Sequence, residues 1–251
     1  MLKLLPCNNE DISALRPKQI LSLTGALDVF WLRKRSSKPC YQLYEGDELL
    51  GYCQIDDKQL WDFYVESRAI EIFQKLLEIK QITSAIVSTR NPYLLSLLCD
   101  HAVKTQSIAY LFYDNASAPE EPEPSPVSAL KIATEKDAQW IYKCDDHSRI
   151  TTKDIDINDL FVLESDGHKI GYGKLSRNPL QFQYSDIGAW VLPQFRSKGY
   201  GAAIMRQLKA VCYQRGLIPT CGCDLDNVAS KHMVENAGFI ATDRMLLVTL
   251  N

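Results

Sequence analysis

Two stretches of the chain share one pattern of hydrophobic and polar positions. Residues 41–53 and residues 161–173 lie 120 positions apart, and each has an apolar run, a polar Gly/Asp turn and a second apolar run. The second run contains an aliphatic-Gly-Tyr triplet at the same offset in both stretches. Apolar runs that flank such a turn predict a β-hairpin. Two matching hairpins at this spacing predict that one domain occurs twice in the chain.

After its hairpin, the second half continues as strands and helices. Short apolar runs bounded by turn residues are typical of strands, and apolar positions three or four apart are typical of helices. By these criteria the predicted strands are 184–192, 219–224 and 245–250, and the predicted helices end near Gly216 and Gly238.

The first half has the same predicted order of elements over a shorter length. Its strands are predicted at 60–65, 84–88 and 107–113, with a helix at 69–79 and another that begins after Asn91.

The two halves differ in length between equivalent positions. Gly51 and Asn91 are 40 positions apart, whereas Gly171 and Asn227 are 56 apart, a difference of 16. We expect the shortfall to fall on a turn at 196–201 and its flanks, so that the first copy lacks this turn.

A proline-rich segment divides the halves. Residues 117–126 contain four prolines and three glutamates. Proline fixes φ and removes an N–H donor, so no helix or central strand is expected at this density. The sequence therefore predicts a domain at 1–115, an extended linker at 116–128 and a second domain at 129–251.

Composition narrows the class of protein. Hydrophobic residues make up 46% of the chain and charged residues 24%, with a net charge of −3, as in ordinary globular proteins. The absence of a basic excess argues against nucleic acid as a partner. No apolar run reaches the ~20 residues of a membrane helix, and no signal peptide is recognisable, so we expect a cytoplasmic protein without membrane contact.

The chain has eight cysteines, most of them in apolar segments. We expect reduced, buried thiols. Cys221 and Cys223 form a C-x-C pair rather than the C-x-x-C pairs of a zinc site, so no metal site is predicted.

The turn at Arg196–Gly201 (RSKGYG), called the glycine turn below, carries candidate binding chemistry. Gly199 and Gly201 allow a tight turn and close approach of a ligand. The turn leads into a helix whose first N–H groups lack internal partners and therefore suit an anion. Arg196 and Lys198 add positive charge. A plain helix-capping loop is the alternative interpretation of this short pattern.

Three segments, in order, resemble those of the GNAT superfamily of N-acyltransferases. Residues 194–203 resemble its R/Q-x-x-G-x-G/A signature and follow a strand ending in WVLP at 190–193. Asn227-x-x-Ser230, before a helix ending in AGF at 237–239, resembles its second cofactor-side segment. The resemblance covers about 129–250. It implies an α+β fold with a mixed, mostly antiparallel sheet flanked by helices, present twice, with a degenerate first copy.

The resemblance also implies roles for individual residues. In this family, the main chain of the strand before the signature pairs with the pantetheine arm of acyl-CoA. Amides of the signature hold the pyrophosphate, and the second segment contacts pantetheine, thioester or phosphate. The positions that match are Trp190, Val191 and Leu192 for the strand, Arg196, Ser197, Lys198, Gly199, Tyr200, Gly201 and Ala202 for the signature, and Asn227 and Ser230 for the second segment.

The implied reaction is direct attack of a primary amine on the thioester carbonyl, without a metal. Acetyl-CoA is the expected co-substrate, and the acceptor is a small-molecule or protein amine. The attacking amine must lose a proton, and the thioester oxygen needs a donor, expected to be a strand N–H near Leu192. Whether the chain forms a homodimer is left open.

Asp186 is the candidate general base. It resembles the glutamate that some members carry at the start of this strand. Aspartate is one methylene shorter, so a water relay is expected. An ordinary solvated carboxylate at the end of a strand is the alternative.

The general acid has no clear candidate. Many members place a tyrosine four residues before the glycine of the final Gly-Phe, where this chain has Val234. His232 is expected to point about 200° away from it around the helix. Tyr200 and Tyr213 are unsupported candidates. A thiolate with a pKa near ~8.5 is able to leave without a dedicated acid.

Two functions therefore stay open. The first is an active N-acyltransferase, which includes the glycine N-acyltransferase-like proteins with a divergent N-terminal domain. The second is a non-catalytic acyl-CoA sensor or interaction protein. Residues 143–149 are expected to border the acceptor cleft or to form an ordinary solvated loop. The first half is expected not to bind coenzyme A by the usual route.

Overall fold

The computed structural model describes residues 1–114, 129–144 and 155–251. The predicted linker at 116–128 and residues 145–149 of the predicted cleft segment lie outside these ranges. Within them, no helix is long and apolar enough to cross a membrane.

Twelve strands and seven α-helices are defined in the described ranges. The strands are β1 Leu2–Cys7, β2 Cys40–Glu45, β3 Glu48–Asp56, β4 Gln59–Val65, β5 Ser84–Ser88, β6 Ala102–Asp114, β7 Lys131–Ile132, β8 Leu160–Ser165, β9 His168–Arg177, β10 Tyr184–Val191, β11 Ile218–Asp224 and β12 Phe239–Leu250. The helices are α1 Arg16–Leu21, α2 Val29–Ser36, α3 Ala69–Lys80, α4 Pro92–Cys99, α5 Glu135–Cys144, α6 Tyr200–Gln214 and α7 Val228–Glu235.

The chain forms two compact units. Unit 1 comprises residues 1–27, 31–110 and 243–251, and unit 2 comprises residues 28–30 and 111–242. Each unit has a mostly antiparallel sheet with one parallel pair of strands, which confirms the predicted mixed α+β architecture.

Unit 1 has the strand order β1-β2-β3-β4-β5-β12. Only β4 and β5 are parallel. The amphipathic helix α3 buries Ile72, Phe73 and Leu76 in the hydrophobic core.

The last strand of the chain lies in unit 1 from Asp243 onward. Residues 245–249 of β12 pair antiparallel with 84–88 of β5, and Leu246, Val248 and Leu250 are buried in the unit 1 core. The sequence places this strand in the second half. Its apolar pattern predicts a strand but does not specify the pairing partner, because backbone hydrogen bonding is the same for either sheet.

Unit 2 has the strand order β11-β10-β9-β8-β7, with β10 and β11 parallel. The end of β6, from Leu111 onward, belongs to this unit. There the Asp114 carboxylate lies 2.7 Å from Lys209 Nζ of α6 and accepts a second hydrogen bond from the Tyr213 hydroxyl.

The predicted repeat is present in detail. Leu43 pairs with Gly51 in β2–β3, and Leu163 pairs with Gly171 in β8–β9. Each hairpin then has a register shift immediately after that leucine. An irregularity at the same offset of 120 positions in both hairpins supports a duplicated domain.

The eight cysteines are free thiols in the structure. Cys40, Cys53, Cys212 and Cys221 are buried, whereas Cys99 is exposed. The expectation of buried thiols therefore holds for half of them, and the others are exposed or intermediate.

Candidate functional site

The site begins where β10 and β11 diverge. The two strands pair in parallel over three positions only, the last of which joins Asp186 to Thr220. Strand β10 continues to Val191, paired with β9 alone. The β11-facing edge of β10 beyond Asp186 is therefore open, and the gap beside it is called the β10 groove.

Hydrogen-bond alternation shows which residues face this groove. The Leu192 N–H donates to the Ile170 carbonyl at 2.9 Å, and the Leu192 carbonyl accepts from the Phe195 N–H at 2.9 Å. Along an antiparallel strand, alternate residues direct their backbone groups to opposite sides. Trp190 therefore faces β9, and the backbone groups of Val191 and Ala189 face the β10 groove.

This alternation changes the predicted main-chain assignment. Of the three residues expected to meet a pantetheine arm, only Val191 turns its backbone toward the groove, and its N–H has no partner within the described residues. The Leu192 N–H is already used by Ile170, so it cannot be the predicted donor to a thioester oxygen. The backbone of Ala189, a residue not expected from the sequence, also faces the groove because it lies two positions before Val191.

The glycine turn directs its amides into one place. Gly199 is the N-cap of α6 with φ 81°, and Ser197 also has positive φ, at 60°. The first helical bond runs from the Ala203 N–H to the Gly199 carbonyl at 3.0 Å. Within the described ranges, the six amides of residues 197–202 have no hydrogen-bond partner. Consecutive free amides at a helix N-terminus form an anion site.

The two cationic side chains of the glycine turn behave differently. Arg196 folds back so that its Nε donates to the Val191 carbonyl at 3.0 Å, with its guanidinium 5.8 Å from the centre of the Trp190 ring. Lys198 is exposed, with Nζ 5.6 Å from the centre of the Phe195 ring. Arg196 therefore joins the glycine turn to the end of β10, and Lys198 supplies charge at the surface.

Gly201 is needed for packing against α7. A Cβ at this position would lie 2.6 Å from Met233 Sδ and 2.9 Å from Met233 Cγ, on α7. At Gly199, by contrast, a Cβ would meet nothing within 4 Å, but the φ of 81° favours glycine. The contact with Met233 could not be found from the local sequence.

The start of α7 carries the two predicted binding residues Asn227 and Ser230. Asn227 is its N-cap, and its side-chain oxygen accepts from the Ser230 N–H at 3.0 Å. This capping bond occupies the Asn227 oxygen and leaves its NH2 group as the donor that could face a ligand. Burial raises the pKa of the Cys223 thiol to about 11, while a hydrogen bond from the Ser230 side chain opposes that shift.

Asp186 lies at the closed end of the groove. It is opposite Ser176 on β9 and Thr220 on β11, and it is partly exposed. Ala189 lies three positions further along the strand, or about 10 Å away. Direct proton transfer to Asp186 therefore requires a reacting nitrogen near Ile187 or Gly188. Otherwise a water relay is needed, as the sequence analysis expected.

None of the candidates named from the sequence takes the place of the missing tyrosine. Val234 is 2% exposed and packs in the core. His232 is exposed on the surface of α7. The Tyr213 hydroxyl donates to Asp114, and burial followed by that hydrogen bond raises its pKa well above the ordinary value. Tyr200 packs edge-on against Phe195, with ring centres 6.2 Å apart.

Aromatic side chains pack on the face of β10 that carries Trp190. Trp190 stacks on Tyr172 with ring centres 5.6 Å apart, and Trp140 of α5 meets Tyr172 edge-on at 6.4 Å. These rings lie on the same side of the sheet as Asp186 and Gly188, because alternate residues of a strand share a face. An acceptor that approaches Asp186 from this side would meet an aromatic surface.

Unit 1 has a much smaller turn at the equivalent place. Three residues, 66–68, connect β4 to α3, whereas eight residues, 192–199, connect β10 to α6. Arg68 is the N-cap of α3, and Glu71 in the first turn pairs with Lys75 at 2.6 Å. A carboxylate here disfavours a phosphate. The shorter connection accounts for five of the 16 missing positions. Another six are lost earlier, because Gly51 and Val65 are 14 positions apart whereas Gly171 and Val191 are 20 apart.

Comparison with known families finds a match in each half of the chain. Residues 8–115 match a family model described as an acetyltransferase (GNAT) domain. Residues 129–239 match a second model, described as the acetyltransferase (GNAT) family. The chain belongs to the GNAT family and carries the domain twice. The resemblance stated from the glycine turn and its neighbours is thereby confirmed.

Solved structures share the fold of this tandem GNAT chain at low sequence identity. An acetyltransferase of the GNAT family from Colwellia psychrerythraea matches with a TM-score of 0.86 and 17% identity, over all of both chains. A GCN5-related N-acetyltransferase from Sphaerobacter thermophilus matches with a TM-score of 0.60 and 14% identity, over 98% of this chain and 94% of that one.

A third match is itself a tandem protein. It is a tandem GNAT protein from the clavulanic acid biosynthesis pathway, with a TM-score of 0.61 and 13% identity, over 99% of this chain and 98% of that one. At such identities the likeness concerns the fold alone. No curated protein matches the tandem GNAT chain.

Proposed function

We propose that the chain transfers an acyl group, with acetyl as the first choice, from acyl-CoA to a primary amine at the β10 groove of unit 2. The observation that carries the proposal is the row of six unpartnered amides at residues 197–202, which leads directly to the open edge of β10. Phosphate suits the amides, and an amide-containing arm suits the backbone groups of an open strand edge, where the Val191 carbonyl is bonded to Arg196 and the Val191 N–H is left as a donor.

The residues present fit acyl-CoA as a co-substrate. The amides of the glycine turn would hold the pyrophosphate, and the main chain of Ala189 and Val191 would meet the pantetheine arm. The NH2 group of Asn227 would donate to that arm from α7. The acyl thioester supplies the activated carbonyl carbon.

The reaction requires two proton movements. The amine nitrogen attacks the carbonyl carbon, the C–S bond breaks, and the proton lost by the nitrogen passes to Asp186 through water. The departing sulfur leaves as a thiolate or takes a proton from solvent, since its pKa of about 8.5 makes a dedicated acid unnecessary. A groove-facing strand N–H, such as that of Ala189 or Val191, is the proposed donor to the carbonyl oxygen.

Replacing Asp186 by asparagine tests the base. We expect kcat to fall by about a hundredfold, the lower end of the range for general bases, with an unchanged KM for acetyl-CoA. Asp166→Asn is the matched control, because Asp166 lies in the hairpin turn with φ 50°, where asparagine is equally tolerated. Equal rates in wild type and Asp186→Asn would remove Asp186 from the mechanism.

Thiol release in the presence of DTNB, with acetyl-CoA and a library of primary amines, tests the activity itself. We expect at least one amine to raise thiol release above the rate of hydrolysis. The alternative function, a non-catalytic acyl-CoA-binding protein, is favoured by the buried Val234 at the usual position of the acid. Binding of acetyl-CoA without stimulation by any amine would support that alternative.

A further inference from the structure

Strand β4 of unit 1 repeats the backbone geometry of β10. It pairs in parallel with β5 at two positions only, and the strands then diverge. The Glu66 N–H donates to the Leu50 carbonyl at 3.3 Å, as the Leu192 N–H does to Ile170 in unit 2. By the same alternation, the backbone groups of Val65 face the gap between β4 and β5, here called the β4 groove. Val65 is therefore the counterpart of Val191.

In unit 1 the backbone N–H and carbonyl of Val65 are hydrogen-bonded to a side chain of the same unit. The Val65 N–H donates to the Tyr93 hydroxyl oxygen at 3.2 Å, and that hydroxyl donates to the Val65 carbonyl at 2.9 Å. Burial raises the pKa of Tyr93 to about 12, so the hydroxyl stays protonated and keeps its donor at neutral pH. One hydroxyl thus satisfies both backbone groups that a pantetheine amide would otherwise meet.

Aromatic neighbours hold Tyr93 in this position. Its ring centre lies 5.5 Å from that of Tyr64 and 6.4 Å from that of Phe63, with which it is nearly parallel. Two hydrogen bonds and two ring contacts restrict the side chain to the β4 groove.

In unit 2 the Val191 carbonyl accepts from Arg196 Nε at 3.0 Å, but within the described residues no side chain of α7 meets the Val191 N–H. Asn91 caps α4 through a bond from the Leu94 N–H at 3.0 Å, and Asn227 caps α7 in the same way. Tyr93 is the second residue after its cap, and Ala229 is the second residue after the other. Ala229 is exposed, and its methyl group cannot donate to Val191.

We propose that Tyr93 is a built-in occupant of the cofactor groove of unit 1, so that the chain has one groove open to acyl-CoA. The proposal rests on the proposed function for its ligand. The short turn at residues 66–68 is one reason why unit 1 should not bind acyl-CoA. Tyr93 is a separate reason, because its side chain closes the β4 groove. A tyrosine at position 229 would close the β10 groove in the same manner.

The first test concerns unit 1 and needs no ligand. Tyr93→Phe keeps the ring and removes only the hydroxyl, so we expect faster hydrogen exchange at the Val65 amide, measured by NMR on the full chain. The amide of Phe63 is the internal reference. Equal protection of Val65 in wild type and Tyr93→Phe would overturn the proposal, whether or not the chain binds acyl-CoA.

The second test transfers the tyrosine to unit 2. We expect Ala229→Tyr to weaken coenzyme A binding by about tenfold or more in isothermal titration, because the Val191 N–H and the space of the arm are lost to the ligand. Val228→Tyr, at the neighbouring 58% exposed position, should leave the affinity unchanged. Unchanged affinity in Ala229→Tyr, or an equal loss in both variants, would overturn the proposal. A wild-type chain that binds no coenzyme A would instead contradict the proposed function, and the Val65 exchange would still decide the role of Tyr93.

Discussion

Replacing Gly201 by glutamate is expected to weaken coenzyme A binding by at least about a hundredfold. The carboxylate would stand in the first turn of α6, beside the amides proposed to hold the pyrophosphate. Two like charges about 4 Å apart repel by about 4 kcal/mol at an effective dielectric constant near 20, and exposure of the turn reduces this figure. A glutamate in the first turn is favourable to the helix itself, so the loss should fall on binding.

The contact with Met233 must be separated from the charge. Gly201→Ala brings the same Cβ to within 2.6 Å of Met233 Sδ but adds no charge, and methionine is flexible enough to give way. We expect that variant to lose less than tenfold in affinity. In Gly201→Glu combined with Met233→Ala, the packing conflict is relieved and binding should stay weak. Recovery of coenzyme A affinity in the double variant, measured by isothermal titration, would show that packing rather than phosphate repulsion is responsible.

Replacing Asp62 by alanine is expected to destabilise unit 1 by about 3–5 kcal/mol. The Asp62 side chain is 1% exposed and lies 2.6 Å from Arg16 Nη1 and 2.9 Å from Arg35 Nη1. It also accepts hydrogen bonds from the Tyr52 hydroxyl at 2.9 Å and from Gln19 Nε2 at 2.5 Å. Without the carboxylate, two guanidinium groups stay buried with no negative charge in contact.

Asp56→Ala is the matched control in the same unit. Asp56 also has a cationic partner, Lys38 at 2.7 Å, but its side chain is 43% exposed. An exposed pair contributes about 0–1 kcal/mol. Urea unfolding followed through amide signals of each unit should show a large loss for Asp62→Ala in unit 1 only. A loss no greater than that of Asp56→Ala would contradict the assigned role of the buried carboxylate.

The same carboxylate predicts how unit 1 responds to acid. Burial alone raises the pKa of Asp62, but Arg35, Arg16 and the Tyr52 hydroxyl outweigh it and lower the pKa below its ordinary value. A carboxyl whose pKa is lower in the folded state contributes its stability above the unfolded pKa of about 3.9. That contribution is lost as the pH falls through the lower, folded value. Asp62→Asn should therefore show a smaller drop in unit 1 stability below about pH 4 than wild type.

The buried network also bears on the role of unit 1. Asp62 on β4 pairs with Gln54, as Gly188 on β10 pairs with Lys174 in unit 2. The polar side chains of Arg16, Gln19 and Tyr52 thus surround the position that corresponds to Gly188. This buried network, together with the Tyr93 hydroxyl on the Val65 backbone, favours a structural or regulatory role for unit 1 over a second catalytic centre.

Local patterns in the sequence were sufficient to predict most elements. The predicted strand at 84–88 has the bounds of β5, and the predicted helix at 69–79 differs from α3 by one residue. The repeat was visible because turn chemistry and an aliphatic-Gly-Tyr triplet recur at one offset. These features depend on neighbours in sequence, which is why a single chain reveals them.

Features that depend on pairing in space could not be predicted in this way. The apolar pattern of 245–250 predicts a strand but not its place beside β5 of unit 1. The direction of the Leu192 N–H depends on the register with β9, and a change of one residue reverses which groups face the groove. Tyr93 lies 28 residues after Val65, and nothing near it in sequence indicates that its hydroxyl meets that backbone.

An amide-resolved NMR titration of the full chain with coenzyme A tests whether unit 2 alone binds the cofactor. We expect saturation at one coenzyme A per chain. The largest amide shifts should fall at residues 197–202 and Val191, with no change at Val65 or at residues 69–71. Binding that leaves residues 197–202 unperturbed, or that shifts residues 69–71 to a similar extent, would contradict binding by unit 2 alone.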